Sequence, residues 1–283
     1  MADTVVAPPA VSPPARRRRE PVSAAAWVRR VVVVVFVGIL VLLPVGLLVY
    51  RAFEPGLTEF VDALKDPDTV HAFKLTGIVA GIALVINVVF GVAVAILLAR
   101  YRFPGRRLLS ALIDLPVAVS PIVVGLALIL VYGPTGWWAK PFGLQILYAK
   151  PGMVLATVFV SMPLVVRAVV PVLEQAGTEQ EQAAESLGAN AVTRFWRITL
   201  PTIRIALAYG TVLCLARCIG EYGAVLVVSG NIAGQTETAP LRVNTLFENF
   251  KQPQMYAITF VLMVVAVLAI LVGALIRRRQ EAR

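Results

Sequence analysis

Residues 178–201 read TEQEQAAESLGANAVTRFWRITLP, a polar stretch between apolar runs that are otherwise almost unbroken. Thr178 followed by Glu181 is a capping box, so a helix is expected to begin here with Glu179 and Glu181 at its positive end. Ala183, Ala184, Leu187, Ala191, Phe195 and Ile198 recur at helical spacing and give one apolar face. Gly188 is expected to interrupt and bend this helix, and Pro201 to stop it. A short amphipathic helix pair with small residues at its centre suits docking into a groove on another protein. The plain alternative is a loop that lies passively on a bilayer.

The chain around this stretch is not that of an ordinary soluble domain. Of its 283 residues, 59% are hydrophobic and 15% charged, against about 45–50% apolar and about 25% charged in globular proteins. It reads as an all-α integral membrane protein. The net charge of +10 does not point to nucleic acid, because the arginines sit beside apolar spans, where membrane topology is written. Cys214 and Cys218 lie one helical turn apart in an apolar segment, which suits helix packing and not a disulfide framework or metal site. His71 has no partner pattern and carries no assignment.

Residues 1–30 are Pro/Ala-rich and hold Arg16–Arg19, Arg29 and Arg30, the pattern of a disordered basic tail. Val31–Tyr50 is 20 residues with no small-residue cleavage site after it, so it is expected to be an uncleaved first span and not a signal peptide. Further spans are expected at 75–99, 111–132, 153–172, 202–229 and 255–276, making six in a permease domain of residues 31–276, with prolines tolerated at Pro44, Pro116, Pro121 and Pro163. Of the 26 Lys and Arg, 16 fall in the tail, the 100–110 loop, the 173–201 loop and the basic 277–283 terminus, against 7 in the other three loops. Both termini and the 173–201 loop are therefore expected to face the cytosol. The outer 51–74 loop carries Glu54, Glu59, Asp62, Asp66 and Asp68, a poor entrance for direct capture of an anion.

No G-x-x-x-x-G-K-[ST] occurs, and none of the five lysines follows a glycine, so this chain has no phosphate cradle of that kind. No catalytic or metal-binding constellation stands out, and no enzyme activity is expected of the chain itself. The exception among apolar residues is Arg217 and Glu221, at i, i+4 in the fifth span. Charged groups near mid-bilayer cost at least about 2.5–3.5 kcal/mol on insertion scales, so they face a bundle interior or a cavity. Two readings stand: a mutual structural pair, or a gate with Tyr222 and Gly223 in which Arg217 offers hydrogen bonds to a passing anion. Asp114 reads as a helix-start charge, and Arg167 as a residue that snorkels toward the cytosol.

The spacing Ala183-Ala184-x-x-x-Gly188, followed by Ile198-x-Leu200-Pro201, resembles the EAA loop of ABC importer permeases, the coupling helix that inserts into the ATPase subunit. The chain departs from that pattern at Gln182, where the family has Glu, with Glu181 and Glu185 nearby. The resemblance implies that Glu181, Gln182, Ala183, Ala184, Glu185, Gly188, Ala189, Phe195, Ile198, Leu200 and Pro201 make the ATPase contact. The runs 220–241, 114–125, 151–156 and 195–201 are similar to the sulfate/thiosulfate importer permeases, particularly their W-type subunits, and the likeness covers about residues 30 to 280. It implies a six-helix type I permease fold and half of a sulfate or thiosulfate pathway. It also implies a related T-type permease, an ATPase dimer holding ATP and Mg, and an extracytoplasmic sulfate-binding protein as partners. Molybdate/tungstate permeases share a similar Gly-Glu-aromatic-Gly signature. A secondary transporter working without ATP, or a membrane scaffold, is the rival from another class.

Overall fold

A computed structural model describes residues 24–134, 136 and 146–281, and among these every regular element is helical. The arginines at 16–19 and Lys140 lie outside the described residues. Helix α1 (Ala24–Phe53) takes in residues 24–30, so the helix begins well before Val31. The chain through Leu47 forms one unit by itself, and from Leu48 onward a second compact unit.

In the second unit, α2 (Leu57–Lys65) gives way at Asp66 to α3 (Pro67–Arg100). Asp66 accepts from the Thr69 amide at 3.0 Å while Pro67 occupies the first turn, where its missing N–H costs nothing. Phe53, Phe60 and Phe260 form a ring cluster with centroids 4.7, 5.1 and 5.8 Å apart, tying α2 to the last helix, α12 (Gln252–Glu281). Among the described residues five helices are long and apolar enough to cross a membrane, and a bent pair brings the number to six.

That bent pair is the span expected at 111–132, interrupted at its prolines far more sharply than by a tolerated kink. It is two helices, α4 (Arg106–Ala118) and α5 (Pro121–Tyr132), turned 115° at the break. Clash with the Pro121 ring drives the preceding residue out of the helical region, and Ser120 indeed has ψ 134°. Asp114 consequently lies in the second half of α4 and is no helix-start charge.

Helix α6 (Lys150–Ala176) is the centre of the unit, packed along α3 on one side and α9 (Leu200–Ile219) on the other. Glycine sets both approaches. A Cβ on Gly91 of α3 would sit 2.9 Å from Val165 Cγ1, and one on Gly210 of α9 would sit 2.8 Å from Ala168 Cβ. Ala83, Ala95, Val165, Val169, Leu173 and Ile203 are fully buried around these contacts. A buried polar set joins the same helices: Asn87 Nδ2 donates to Ser161 Oγ at 2.8 Å and lies 3.6 Å from Cys214 Sγ, and Ser161 Oγ is 3.2 Å from Cys218 Sγ. Both cysteines are free thiols packed between helices, as expected from the sequence.

The expected fifth span, 202–229, is also broken. Helix α9 ends at Ile219, residues 220–222 are not helical, and a short helix α10 (Gly223–Val228) follows. Helix α11 (Ala239–Glu248) then leads through a turn to α12. Gly91→Leu places a branched side chain into Val165, which has no room to yield. Overpacking of this kind costs about 1–3 kcal/mol, and a lowered thermal midpoint of the detergent-purified protein checks it, with Gly77→Leu, which faces open space, as the unchanged control.

Candidate functional site

The 178–201 stretch folds as α7 (Glu179–Ser186), a left-handed Gly188 at φ 86°, and α8 (Ala191–Arg194) capped by Asn190, whose Oδ1 accepts from the Thr193 amide at 2.8 Å. The expected capping box does not form. Thr178 Oγ1 accepts instead from Gln182 Nε2 at 3.0 Å, while Glu181 turns inward. Its Oε2 lies 3.0 Å from Arg100 Nε, and its Oε1 accepts from Arg100 Nη2 at 3.1 Å and from Thr199 Oγ1 at 2.9 Å. Arg100 also donates to the Leu173 carbonyl at 2.8 Å, so one guanidinium joins α3, α6 and α7. A forked guanidinium fits this work because its donors lie in one plane at fixed angles. Glu185 pairs with Arg194 across the Gly188 turn.

Pro201 does not stop the helix. The five residues Phe195–Thr199 form a π turn, and Leu200 N bonds to Phe195 O, so the helix runs on without a break from Ala191 to Ile219. A wider turn before the proline relieves the ring's clash with the preceding carbonyl and absorbs its missing donor. The expected single apolar face divides in two. Phe195 and Leu200 pack against the core, whereas Leu187 (89% exposed), Val192 and Trp196 stand out to the surroundings with Ala183, Ala191 and Gly188. Ala184, Ala189 and Ile198 are half-buried.

At the other end of that helix, Arg217 Nη2 lies 3.2 Å from Glu221 Oε2. Glu221 is buried and Arg217 is 42% exposed at the side chain. Glu221 Oε1 accepts from the Ala224 amide at 3.0 Å, so the carboxylate closes the first turn of α10 while holding the arginine at the end of α9. Gly223 lies against Pro121 and Ile122 at the start of α5, and Tyr222 lines a cavity of about 410 Å³ with Gly220, Asn244 and Phe247. The four residues expected to form a gate are thus brought together at one helix break beside the α4–α5 bend.

Two charge clusters were missed in the sequence. Arg167 pairs across helices: its Nε donates to Asp114 Oδ1 at 2.6 Å, and Ser110 Oγ is 3.4 Å from its Nη2. Arg242 joins Asp66 (3.0 Å), Glu237 (3.3 Å) and Asp68 (3.6 Å), fastening α11 to the start of α3. Burial pushes the Asp66 carboxyl up, but the Thr69 amide and hydroxyl and the Arg242 guanidinium outweigh it and hold it below its ordinary 3.8. The Asp-Pro-Asp-Thr run signals the cap, but nothing in it signals an arginine 176 residues away.

Residues 87–282 match the family described as the binding-protein-dependent transport system inner membrane component. The sulfate transport system permease protein CysW of Synechocystis is 42% identical over 244 residues, 85% of this chain and 88% of that protein. CysW of Escherichia coli K12 is 43% identical over 245 residues, 86% of this chain and 84% of that protein. CysT of the same organism is 39% identical over 236 residues, 82% and 85% of the two chains. In fold, the chain is similar to a bacterial ABC transporter involved in alginate import, with TM-score 0.75 and 16% identity over 90% of this chain and 95% of that one.

Two outcomes are expected. Glu181→Ala leaves Arg100 unpaired and frees α7 from Thr199. Losing about 1–2 kcal/mol of local stability raises the open population 5–30-fold, read as faster tryptic cleavage after Arg194 and Arg197 in the purified protein, whereas Gln182→Ala changes it little. The second concerns pH. Because the fold favours the charged form of Asp66, its contribution is complete above 3.8 and is lost as pH falls through the lower folded value. Asp66→Asn removes that acid-range loss, measured as proteolytic release of the 230–250 segment against pH.

Proposed function

The chain belongs to the family of binding-protein-dependent transport system inner membrane components, and on that basis we propose that it is the W-type permease subunit of an ATP-driven sulfate/thiosulfate importer. It forms half of the anion pathway. A T-type permease forms the other half, an ATPase dimer supplies the work with ATP and Mg, and an extracytoplasmic binding protein delivers the anion. Both termini and residues 178–201 face the cytosol in this reading, in keeping with the excess of arginine on that side. The identities to CysW proteins at 42–43% over most of the chain support the substrate.

The observation that carries the mechanism is the unbroken helix from Ala191 to Ile219. One end presents Val192 and Trp196 to a partner, beside Leu187 at the end of α7. The other end holds the Arg217–Glu221 pair at the 220–222 break. Closure of the ATPase pair presses on α7 and α8. Glu181 and Arg100 keep α7 fixed to the bundle, so the push passes into α9 as a rigid-body tilt and is released at the break. Arg217, more exposed than its partner, offers charge-assisted hydrogen bonds to a dianion, and Glu221 limits how tightly it is held. No phosphate-binding loop occurs in the sequence, which leaves hydrolysis to the ATPase chains.

The test is labelled-sulfate uptake in cells lacking this chain, with and without its return, competed by excess thiosulfate and by molybdate. Restored uptake that thiosulfate blocks strongly and molybdate weakly is the expected result. Restored molybdate uptake alone overturns the substrate, and uptake that survives ATP depletion at constant membrane potential overturns the coupling. Within the same assay, Leu187→Asp puts a charge on the docking face. It is expected to lower uptake at least tenfold while the amount of chain in the membrane stays within twofold.

A further inference from the structure

We propose that the Asp114–Arg167 pair is a second anion station on the transport pathway, separated along the helix axis from the Arg217–Glu221 pair and occupied in turn by the same dianion. The inference rests on the transport reading above.

Depth comes first. Arg106 of α4 pairs with Glu174 of α6 at 2.9 Å, so the two helices run antiparallel from a common end. At 1.5 Å per residue, Asp114 stands about 12 Å along α4 from Arg106, and Arg167 about 10 Å along α6 from Glu174. With the charged Arg106–Glu174 pair at or outside the edge of a hydrocarbon core of about 30 Å, the second pair lies inside the core by at most about 12 Å. Yet the Arg167 and Asp114 side chains are 51% and 43% exposed. An ion pair so exposed at that depth cannot face lipid at acceptable cost, so it faces water or the partner half of a pathway.

The surroundings select between these. The pair opens on a groove of about 510 Å³ whose other walls are apolar, including Val117, Pro163, Leu164, Tyr209 and Leu213. Tyr209 and Leu213 are i and i+4 on α9, and the next residue at that spacing is Arg217. One stripe of α9 therefore leads from one arginine to the level of the other over about 12 Å. Each arginine is answered by a single carboxylate on a neighbouring turn or helix. Arg167 Nη2 has only a 3.4 Å contact to Ser110 beyond its carboxylate, which leaves donor capacity for an anion's oxygens. Between the stations the stripe is apolar apart from the Tyr209 hydroxyl and carries no further cation. A dianion moving between them exchanges one guanidinium for another, and each carboxylate reclaims its arginine when the anion leaves. Two weak sites in series permit both entry and exit, where one tight site would trap the ion.

The experiment compares the doubly neutral Asp114→Asn/Arg167→Gln chain with wild type and with Arg167→Lys, which keeps the charge. All are returned to cells lacking the chain, and both chain content of the membrane and the initial rate of labelled-sulfate uptake are measured. A pair that only holds helices together, or seals against the partner permease, leaves a doubly neutral chain competent because no charge remains unpaired. An anion station loses its ligand. The expected result is normal accumulation, a maximal rate lowered more than threefold with unchanged half-saturation, and Arg167→Lys within threefold of wild type. A doubly neutral chain transporting within threefold of wild type, or failing to accumulate, overturns the station. Failure of the wild-type chain to restore sulfate uptake is the separate failure of the transport reading, and the same comparison is then run with labelled molybdate.

Discussion

Helix α6 is gripped on both sides at distances only glycine allows, by α3 at Gly91 and by α9 at Gly210, and the rest of the second unit is positioned through that contact. The grip aligns Asn87, Ser161, Cys214 and Cys218 into one buried polar set. It brings the ends of α3 and α6 close enough for Arg100 to hold both the Leu173 carbonyl and Glu181. It also sets Tyr209 of α9 beside Arg167 of α6. In a membrane, apolar side chains gain little by leaving lipid for one another, so close backbone approach and satisfied polar groups must hold the helices together. Each of these features belongs to one of those two kinds.

The positions of charge follow the same constraint. Arg100, Arg217 and Arg242 each have a carboxylate partner that is mostly buried, and Arg167, within α6, has Asp114. Arg100–Glu181 and Arg242–Glu237 are shielded on both sides of the pair and serve as fasteners. The Arg217 and Arg167 side chains are exposed, at 42% and 51%, and these two are the ones the proposed pathway uses.

The sequence reading reached whatever local pattern controls. The two short helices within 179–194, the turn at Gly188, the pairing of Arg217 with Glu221 and the buried cysteines are set by residues within a turn or two of one another. It failed where a distant group decides. Glu181 satisfies the local rule for a capping box, yet a charged, forked donor 81 residues away offers more than one amide does. Gln182, where the family pattern has Glu, points to Thr178, and the inward carboxylate of this loop is Glu181. Pro201 looked like a stop because proline cannot donate, but a π turn one step earlier accommodates it. The 115° bend at Val119–Ser120 was visible only as two prolines, which permit a kink without fixing its angle. Asp114 and Arg167 lie 53 residues apart on separate helices, and no periodicity connects them.

The central claim is that the helix from Ala191 to Ile219 moves as one body and that motion is released at residues 220–222. Spin labels on exposed Val192, Ala208 and Phe247 in the assembled transporter report it directly. On ATP binding, the Val192–Ala208 distance is predicted to stay fixed while the Ala208–Phe247 distance changes. A change confined to Val192–Ala208, with Ala208–Phe247 constant, would place the flexing at the π turn and contradict the account.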